Sequence, residues 1–447
     1  GLILSIMGVT GAIYSYEQQI LRWMNPQSYT VEVVAQQQKL TPTQLYQHFQ
    51  QTAPEMKINS ITIATEPTAS STVNIEKEGA RRGYNMLVNP YTAEVLPKIK
   101  GQEFFAFIQQ LHRYLTMGPV GKQITGACTL ILIFFILSGI YLRWPKKHSV
   151  RQWLAIKPQL KGRNFIWDLH AVVGTWVIVF YLIFAITGLT WSYSWWKSGL
   201  ATVLGVEQTQ QQAPRPNPQA GNSENRGARG EAKPQDHLST EQISSALTAT
   251  WNGFNQQNTR PYSTLTINLP KDDKGDIKLS FVDEIPQHER ARNSATYDYK
   301  NNQITEIELY EDKKLNEKIM SSLLPVHRGS FMGPFYQFFA MLASLAMPLF
   351  FVTGWMLYIK RRKQKQLTQQ ARQMTQQAHK NSDATTWHVI YASQTGTAEQ
   401  IAYNTANSLQ EQGLGAEVIS LHQLSLEQLP KIDHALFIVS TYGTGDA

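Results

Sequence analysis

Three stretches of this chain run without a charged residue for long enough to cross a lipid bilayer, and nothing else in the sequence limits its fold as strongly. Gln123 to Leu142 holds 20 such residues, Leu169 to Trp196 holds 28 and Gly329 to Ile359 holds 31, each sufficient for a hydrocarbon core of about 30 Å. Gly1 to Tyr16 is a fourth apolar run, and with no initiator Met ahead of it the chain is expected to begin inside a truncated span. The expected class is an α-helical membrane protein with four transmembrane helices, at 1–21, 121–144, 167–196 and 329–360.

A net charge of +8 invites a nucleic-acid reading, but its distribution argues against one. Arg143, Lys146, Lys147, Arg151, Lys157, Lys161 and Arg163 crowd in and beside the loop 145–166 with no acid among them, and Lys360, Arg361, Arg362, Lys363 and Lys365 follow the last span. Short basic loops mark the cytoplasmic side, and long loops escape that rule. The segments 22–120 and 197–328 are then external. The single cysteine, Cys128, disfavours disulfides, a cysteine-ligated cluster and a thiolate zinc site, and reads as a small buried hydrophobe. Trp144, Trp153, Trp167, Trp191, Trp195 and Trp196 gather at span ends, as an interfacial belt does.

Histidines recur in register with these spans. His112 and His327 each open the pair His-Arg, stand six residues before Gly-Pro (Gly118-Pro119, Gly333-Pro334), and lie 27 residues before the glycine of Ser138-Gly139 and Thr353-Gly354. His170 opens another apolar run, which ends in Thr187-Gly188. Polar rings at membrane depth are costly and usually functional, and paired imidazoles between helices suit axial ligation of haem iron. The plainer alternative is that they are interfacial residues bonded to carbonyls or lipid headgroups.

The chain reads as a duplicated unit followed by a separate domain. In the external segment 22–120, Tyr29 to Ala35 alternates, Thr41-Pro42-Thr43-Gln44 is a helix start, and Ser60 to Ala64, Thr72 to Glu76 and Tyr84 to Val88 are strands. In 238–328, Ser239-Thr240-Glu241-Gln242 starts a helix, Ser263 to Leu269 and Ile277 to Val282 are strands, and Tyr297 to Lys300 with Gln303 to Leu309 forms a hairpin. Two small α+β modules are expected. Between them, 197–237 is rich in Gln, Pro, Gly and Asn and is expected to be disordered. The stretch 361–386 reads as a partly helical tether.

On Tyr84 to Leu96, with its Asn89-Pro90-Tyr91-Thr92-Ala93-Glu94-Val95, and on His112-Arg113, Trp167-Asp168-Leu169-His170 and His327-Arg328, residues 1–363 resemble the PepSY-associated membrane family. That family includes bacterial inner-membrane ferric-siderophore reductases; its usual turn glycine is Ala93 here. Span orientation places His112 and His327 at the external end, as one axial pair, and His170 at the cytoplasmic end. By analogy with the third span, the partner of His170 falls upstream of Gly1; His148 is the visible substitute, although Lys146 and Lys147 beside it favour a solvated loop residue. Two haems b near opposite faces would divide the roughly 30 Å membrane into short steps. Arg113 and Arg328 are candidates for the haem propionates or for interfacial anchoring.

Trp387 to Ala392 is a short apolar run leading through Ser393-Gln394-Thr395-Gly396-Thr397-Ala398-Glu399 into a helical pattern. Loop hydroxyls, backbone N–H groups and a helix amino terminus converge on a phosphate in such a turn. The Walker lysine and the GxGxxG fingerprint are both absent, so a flavin monophosphate is favoured. Residues 387–447 look like the flavodoxin-type FMN domain of diflavin reductases. The resemblance implies that Ser393, Gln394, Thr395, Gly396, Thr397 and Ala398 hold the FMN phosphate, and that Thr441, Tyr442 and Gly443 border the flavin ring. It also implies a domain left incomplete at Ala447, and FAD and NADPH if a reductase module follows.

Taken together, these features predict a bacterial inner-membrane oxidoreductase, passing electrons from cytoplasmic NADPH through FMN and two haems to an external ferric-siderophore. Rival readings are a non-redox envelope protein that binds peptides or regulates peptidases, and a transmembrane reductase with a quinone or thiol acceptor.

Overall fold

A computed structural model describes residues 1–33, 37–78, 80–144, 149–206, 238–270, 275–378, 386–393 and 396–440. It falls into two units, Gly1–Trp144 with Val177–Pro348, and Pro145–Trp176 with Leu349–Ala447.

In the first unit, α1 (Leu2–Ser15) gives way at Tyr16 to α2 (Glu17–Met24) and the single turn α3 (Pro26–Tyr29). Helix α4 (Pro42–Thr52) starts at a capping box, in which Gln44 N–H donates to Thr41 Oγ1 at 3.2 Å and Thr41 N–H donates to Gln44 Oε1 at 2.8 Å. Each bond satisfies a backbone donor that the first helical turn leaves open. Strands β1 (Ile58–Ala64), β2 (Ser71–Lys77) and β3 (Ala80–Val88) follow, then α5 (Gln102–Tyr114) and the long apolar α6 (Gly118–Arg143). After α7 (Val150–Leu154), which belongs to the second unit, α8 (Gly162–Ser192) enters the first unit from Val177 onward. It leads to α9 (Ser194–Val203), α10 (Thr240–Gln257), β4 (Tyr262–Asn268), β5 (Asp276–Asp283), β6 (Asn293–Asp298), β7 (Gln303–Glu308), α11 (Leu315–Arg328) and α12 (Gly333–Leu345). Ser239 and Gln242 cap α10 with the same reciprocal box as α4.

Three described helices are long and apolar enough to cross a membrane: 118–143, 162–192 and 333–377, the last crossing from α12 into α13 (Met347–Ala378). The expected fourth span is α1, whose 14 residues rise only about 21 Å. It packs against α5, α6 and α12. A Cβ on Gly8 would lie 2.5 Å from Ser344 O and 2.6 Å from Met347 Cβ, so only glycine permits that approach of α1 to α12.

The two expected external modules are joined. All seven strands form one sheet in the order β3-β2-β1-β4-β5-β6-β7, with β1 and β4 antiparallel at the junction and Ile61 opposite Ile267. Both isoleucines are fully buried beneath α4 and α10 in a shared core with Leu45, Phe49, Leu247, Phe254 and Phe281. Thr62 Oγ1 meets Thr266 Oγ1 at 2.8 Å across the strands, and Thr43 Oγ1 meets Thr248 Oγ1 at 2.9 Å between the helices. The alternating segment from Tyr29 is not a strand: it is the end of α3 followed by a lone bridge from Thr30 to Ala69. Residues 34–36 lie outside the described set. Within 197–237, expected to lack structure, α9 covers the first part; residues 207–237 lie outside the described set.

In the second unit, the expected tether is a continuation of α13, helical through Ala378. The unit ends in a three-stranded parallel sheet of β8 (Thr386–Ala392), β9 (Gly415–Ser420) and β10 (His434–Val439), with α14 (Thr397–Glu411) between the first two strands.

Because one core serves both halves of the seven-stranded sheet, Ile61→Ala is expected to cost about 2–5 kcal/mol and to loosen 238–328 as well as 22–120. Limited proteolysis of the intact protein should then cut both halves together; cleavage confined to the amino-terminal half contradicts a shared core.

Candidate functional site

Both His-Arg pairs occupy the last turn of a helix that precedes an apolar helix, rather than the apolar helix itself. His112 and Arg113 end α5, and His327 and Arg328 end α11. The chain then reverses through left-handed residues, Leu115 (φ 49°) and Thr116 (φ 59°) in one case and Gly329 (φ 84°) in the other. Pro119 and Pro334 open the next helices, where their missing N–H costs nothing. The repeated spacing is thus a helix, a tight turn and a second helix, and the turn projects each histidine into the bundle.

Their imidazole centres are 6.3 Å apart, with the rings inclined at 67°. His112 Nδ1 lies 3.1 Å from Thr10 Oγ1 and 3.0 Å from Met7 O on α1, and His327 Nδ1 lies 2.8 Å from Thr187 Oγ1 on α8. With Nδ1 tied back in both rings, Nε2 is the nitrogen left to bind a ligand. Trp191 and Phe184 set their rings 5.3 and 5.8 Å from that of His327.

The pair lines a cavity of about 580 Å³, within the range of small-molecule and cofactor pockets. Gly8, Gly11 and Gly188 keep its walls low, and Arg113, Lys122, Arg290 and Arg328 place four cations along it with no carboxylate in the lining. Such a lining suits an anion-bearing, largely apolar ligand. Arg328 is also held by Glu17 at 3.3 Å and Glu289 at 3.9 Å, over the ring of Tyr14. Of the two arginines expected at this site, both line the cavity; Lys122 and Arg290 carry no motif that would have singled them out.

His170 occupies the first turns of α8, with Nδ1 2.7 Å from Thr353 Oγ1 and its ring 5.1 Å from that of Phe350. Asp168, two residues earlier, is buried and accepts from Lys157 N–H at 2.8 Å, so it fastens the basic loop. His148, the alternative to an upstream partner, lies outside the described residues, as do Gln394, Thr395, Thr441, Tyr442 and Gly443. Among the described residues no three His, Cys, Asp or Glu side chains gather to hold a bare metal ion.

At the phosphate-loop candidate, Ser393 Oγ accepts from Gly396 N–H at 3.0 Å. Gly396 turns the chain at φ 85° as the cap of α14, which begins at Thr397, with Ala398 buried in its first turn. Ser440, just after β10, donates through N–H to Ala392 O at 2.8 Å, which sets the end of β10 beside the end of β8. The strand order β9-β8-β10 is second, first, third, so β8 and β10 are the neighbours at the switch point where flavodoxin-like sheets take their ligand.

Apolar helices of membrane length joined to a flavodoxin-like sheet make this a membrane protein with a flavin-type redox domain. Residues 1–361 match the family described as the PepSY-associated TM region, and the chain belongs to that family. Residues 389–447 match the flavodoxin family, which supports FMN as the cofactor of this domain. Over 58 residues the chain is 38% identical to the sulfite reductase (NADPH) flavoprotein alpha-component of Bacillus subtilis (strain 168). That match covers 13% of this chain and 10% of the relative.

Burial pushes the His112 pKa down to about 4 and that of His327 to about 3, from 6.5. A depressed pKa means the folded state binds fewer protons than the unfolded one. The haem-free protein should therefore keep its full stability above about pH 6.5 and lose it as pH falls toward 4, by about 1.4 kcal/mol per pH unit for each ring. Thermal denaturation in detergent between pH 7 and 5, compared with His112→Asn, checks this; the substitution should flatten the slope.

Proposed function

We propose that this protein is a bacterial inner-membrane reductase, in which electrons from cytoplasmic NADPH enter at the flavodoxin domain and leave through a haem held by His112 and His327. The observation that carries the reading is the imidazole pair. His112 and His327 have ring centres 6.3 Å apart, and with Nδ1 of each tied to a threonine their Nε2 atoms would hold one iron between them. Haem needs only two protein ligands because the porphyrin supplies four nitrogens, and its two propionates suit a cavity edged by cations. His112 and His327 would hold the iron through Nε2; Arg113, Lys122 and Arg290 would face the propionates, while Trp191 and Phe184 shield the His327 side.

FMN accepts a two-electron hydride equivalent and releases electrons singly, and haem passes them one at a time. This chain's residues then have separable tasks. The loop at Ser393 to Thr397 holds the flavin phosphate at the amino terminus of α14, and His170, steadied by Thr353, offers a ligand for a second haem on the basic, cytoplasmic side. The acceptor is a ferric-siderophore in the external space, whose iron is released on reduction because hard oxygen ligands hold Fe(II) less tightly than Fe(III). The seven-stranded external domain frames its approach.

A reduced-minus-oxidised visible spectrum should give about two haems per chain, and His327→Ala should remove one. An unchanged spectrum in that variant refutes the pairing. Anaerobic mixing of the reduced protein with ferric-siderophore, ferric citrate and a quinone should show fastest reoxidation by the first.

A further inference from the structure

We propose that Thr10, Thr187 and Thr353 are positioning residues for the haem-ligand histidines, each fixing the tautomer of one imidazole and setting the reduction potential of the iron it serves. The inference rests on the haem reading above.

Each threonine bonds a histidine Nδ1, at 3.1 Å for Thr10 and His112, 2.8 Å for Thr187 and His327, and 2.7 Å for Thr353 and His170. A hydroxyl has one proton to donate. In all three threonines that proton has a backbone carbonyl to meet one turn earlier: Ile6 O at 2.6 Å, Ile183 O at 2.6 Å and Leu349 O at 2.7 Å. Carbonyls only accept, so each Oγ1 is left to accept from Nδ1–H. Met7 O, 3.0 Å from His112 Nδ1, independently requires the same tautomer. Nδ1 therefore carries the proton and Nε2 the lone pair, which is the arrangement a metal-binding imidazole needs.

The glycine that follows completes the external sites. A Cβ on Gly11 would stand 3.1 Å from His112 Cε1, and one on Gly188 3.2 Å from His327 Cε1. Each Thr-Gly pair thus provides one acceptor and one absent side chain, letting the ring lie close against the partner helix. Gly354 has no such neighbour, so at His170 the hydroxyl acts alone. An N–H···O bond on the far side of a ligating imidazole increases the ring's donor strength, which favours Fe(III) over Fe(II).

The test is spectroelectrochemical titration of the haem-loaded, full-length protein carrying Thr187→Val or Thr187→Ser. Valine keeps the shape and removes the acceptor; serine keeps the acceptor. Thr187→Val should shift the reduction equilibrium of the external haem toward Fe(II) about tenfold, at the low end of what such outer partners change, which is about 59 mV for a one-electron couple. Thr187→Ser should titrate as wild type. Loss of haem from the valine variant alone also supports the proposal, because only the hydroxyl then separates the two proteins. Haem retained by valine at the wild-type potential, haem lost from both variants, or equal shifts in both overturn it while leaving haem ligation intact. A wild-type protein without haem, or one whose spectrum ignores His327→Ala, fells the haem reading and this inference together.

Discussion

Two imidazoles facing each other inside an apolar helix bundle are the constraint on which the first unit is built. Burying a polar ring without partners costs several kcal/mol, and here Nδ1 of each ring meets a threonine hydroxyl. Four helices meet that requirement: α5 and α11 deliver the rings, and α1 and α8 deliver the threonines. The left-handed turns at Leu115-Thr116 and Gly329 exist because a ring in the last turn of one helix must point inward while the chain reverses into the next.

The seven-stranded sheet stands next to this pair in chain order. Its two edge strands are β3 and β7, and the next long helices in the chain after them are α5 and α11, which carry the two histidines. The halves meet through Ile61 and Ile267 at the central strands, through Thr43 and Thr248 between the covering helices, and through His112 and His327 in the bundle. Like elements thus meet like at three levels, in the sheet, between the covering helices and in the bundle.

Local signals in the sequence were informative and distant pairings were not. The capping boxes at Thr41 and Ser239 and the strands of both halves follow from side-chain chemistry within a few residues. The β1 to β4 junction joins Thr62 to Thr266, and no local pattern records a partner 204 residues away. Arg328 reads as a free cation beside a haem, whereas Glu17, 311 residues earlier, already holds it. The Thr-Gly pairs show the limit most clearly. They were visible as markers of spacing, yet the ring each one serves lies on a different helix, so their role emerges only once the helices are packed.

The same reasoning bears on the second unit. A Gln-rich stretch after a span reads as a partly helical tether because it holds few large apolar residues, but α13 runs unbroken from Met347 to Ala378 and its polar side chains are used for packing. Thr375 Oγ1 donates to Asn407 Oδ1 at 2.6 Å, and Asn407 Nδ2 donates to Ala371 O at 3.1 Å, so α13 is stitched to α14. One helix therefore carries the acceptor for His170 at Thr353 and the seat of the flavodoxin helix 22 residues later. A flexible linker would let the flavin domain search for its partner at a cost in orientation. A helical arm docked along α14 removes that search, because the hydrogen bonds at Thr375 and Ala371 hold α14 in one orientation on α13.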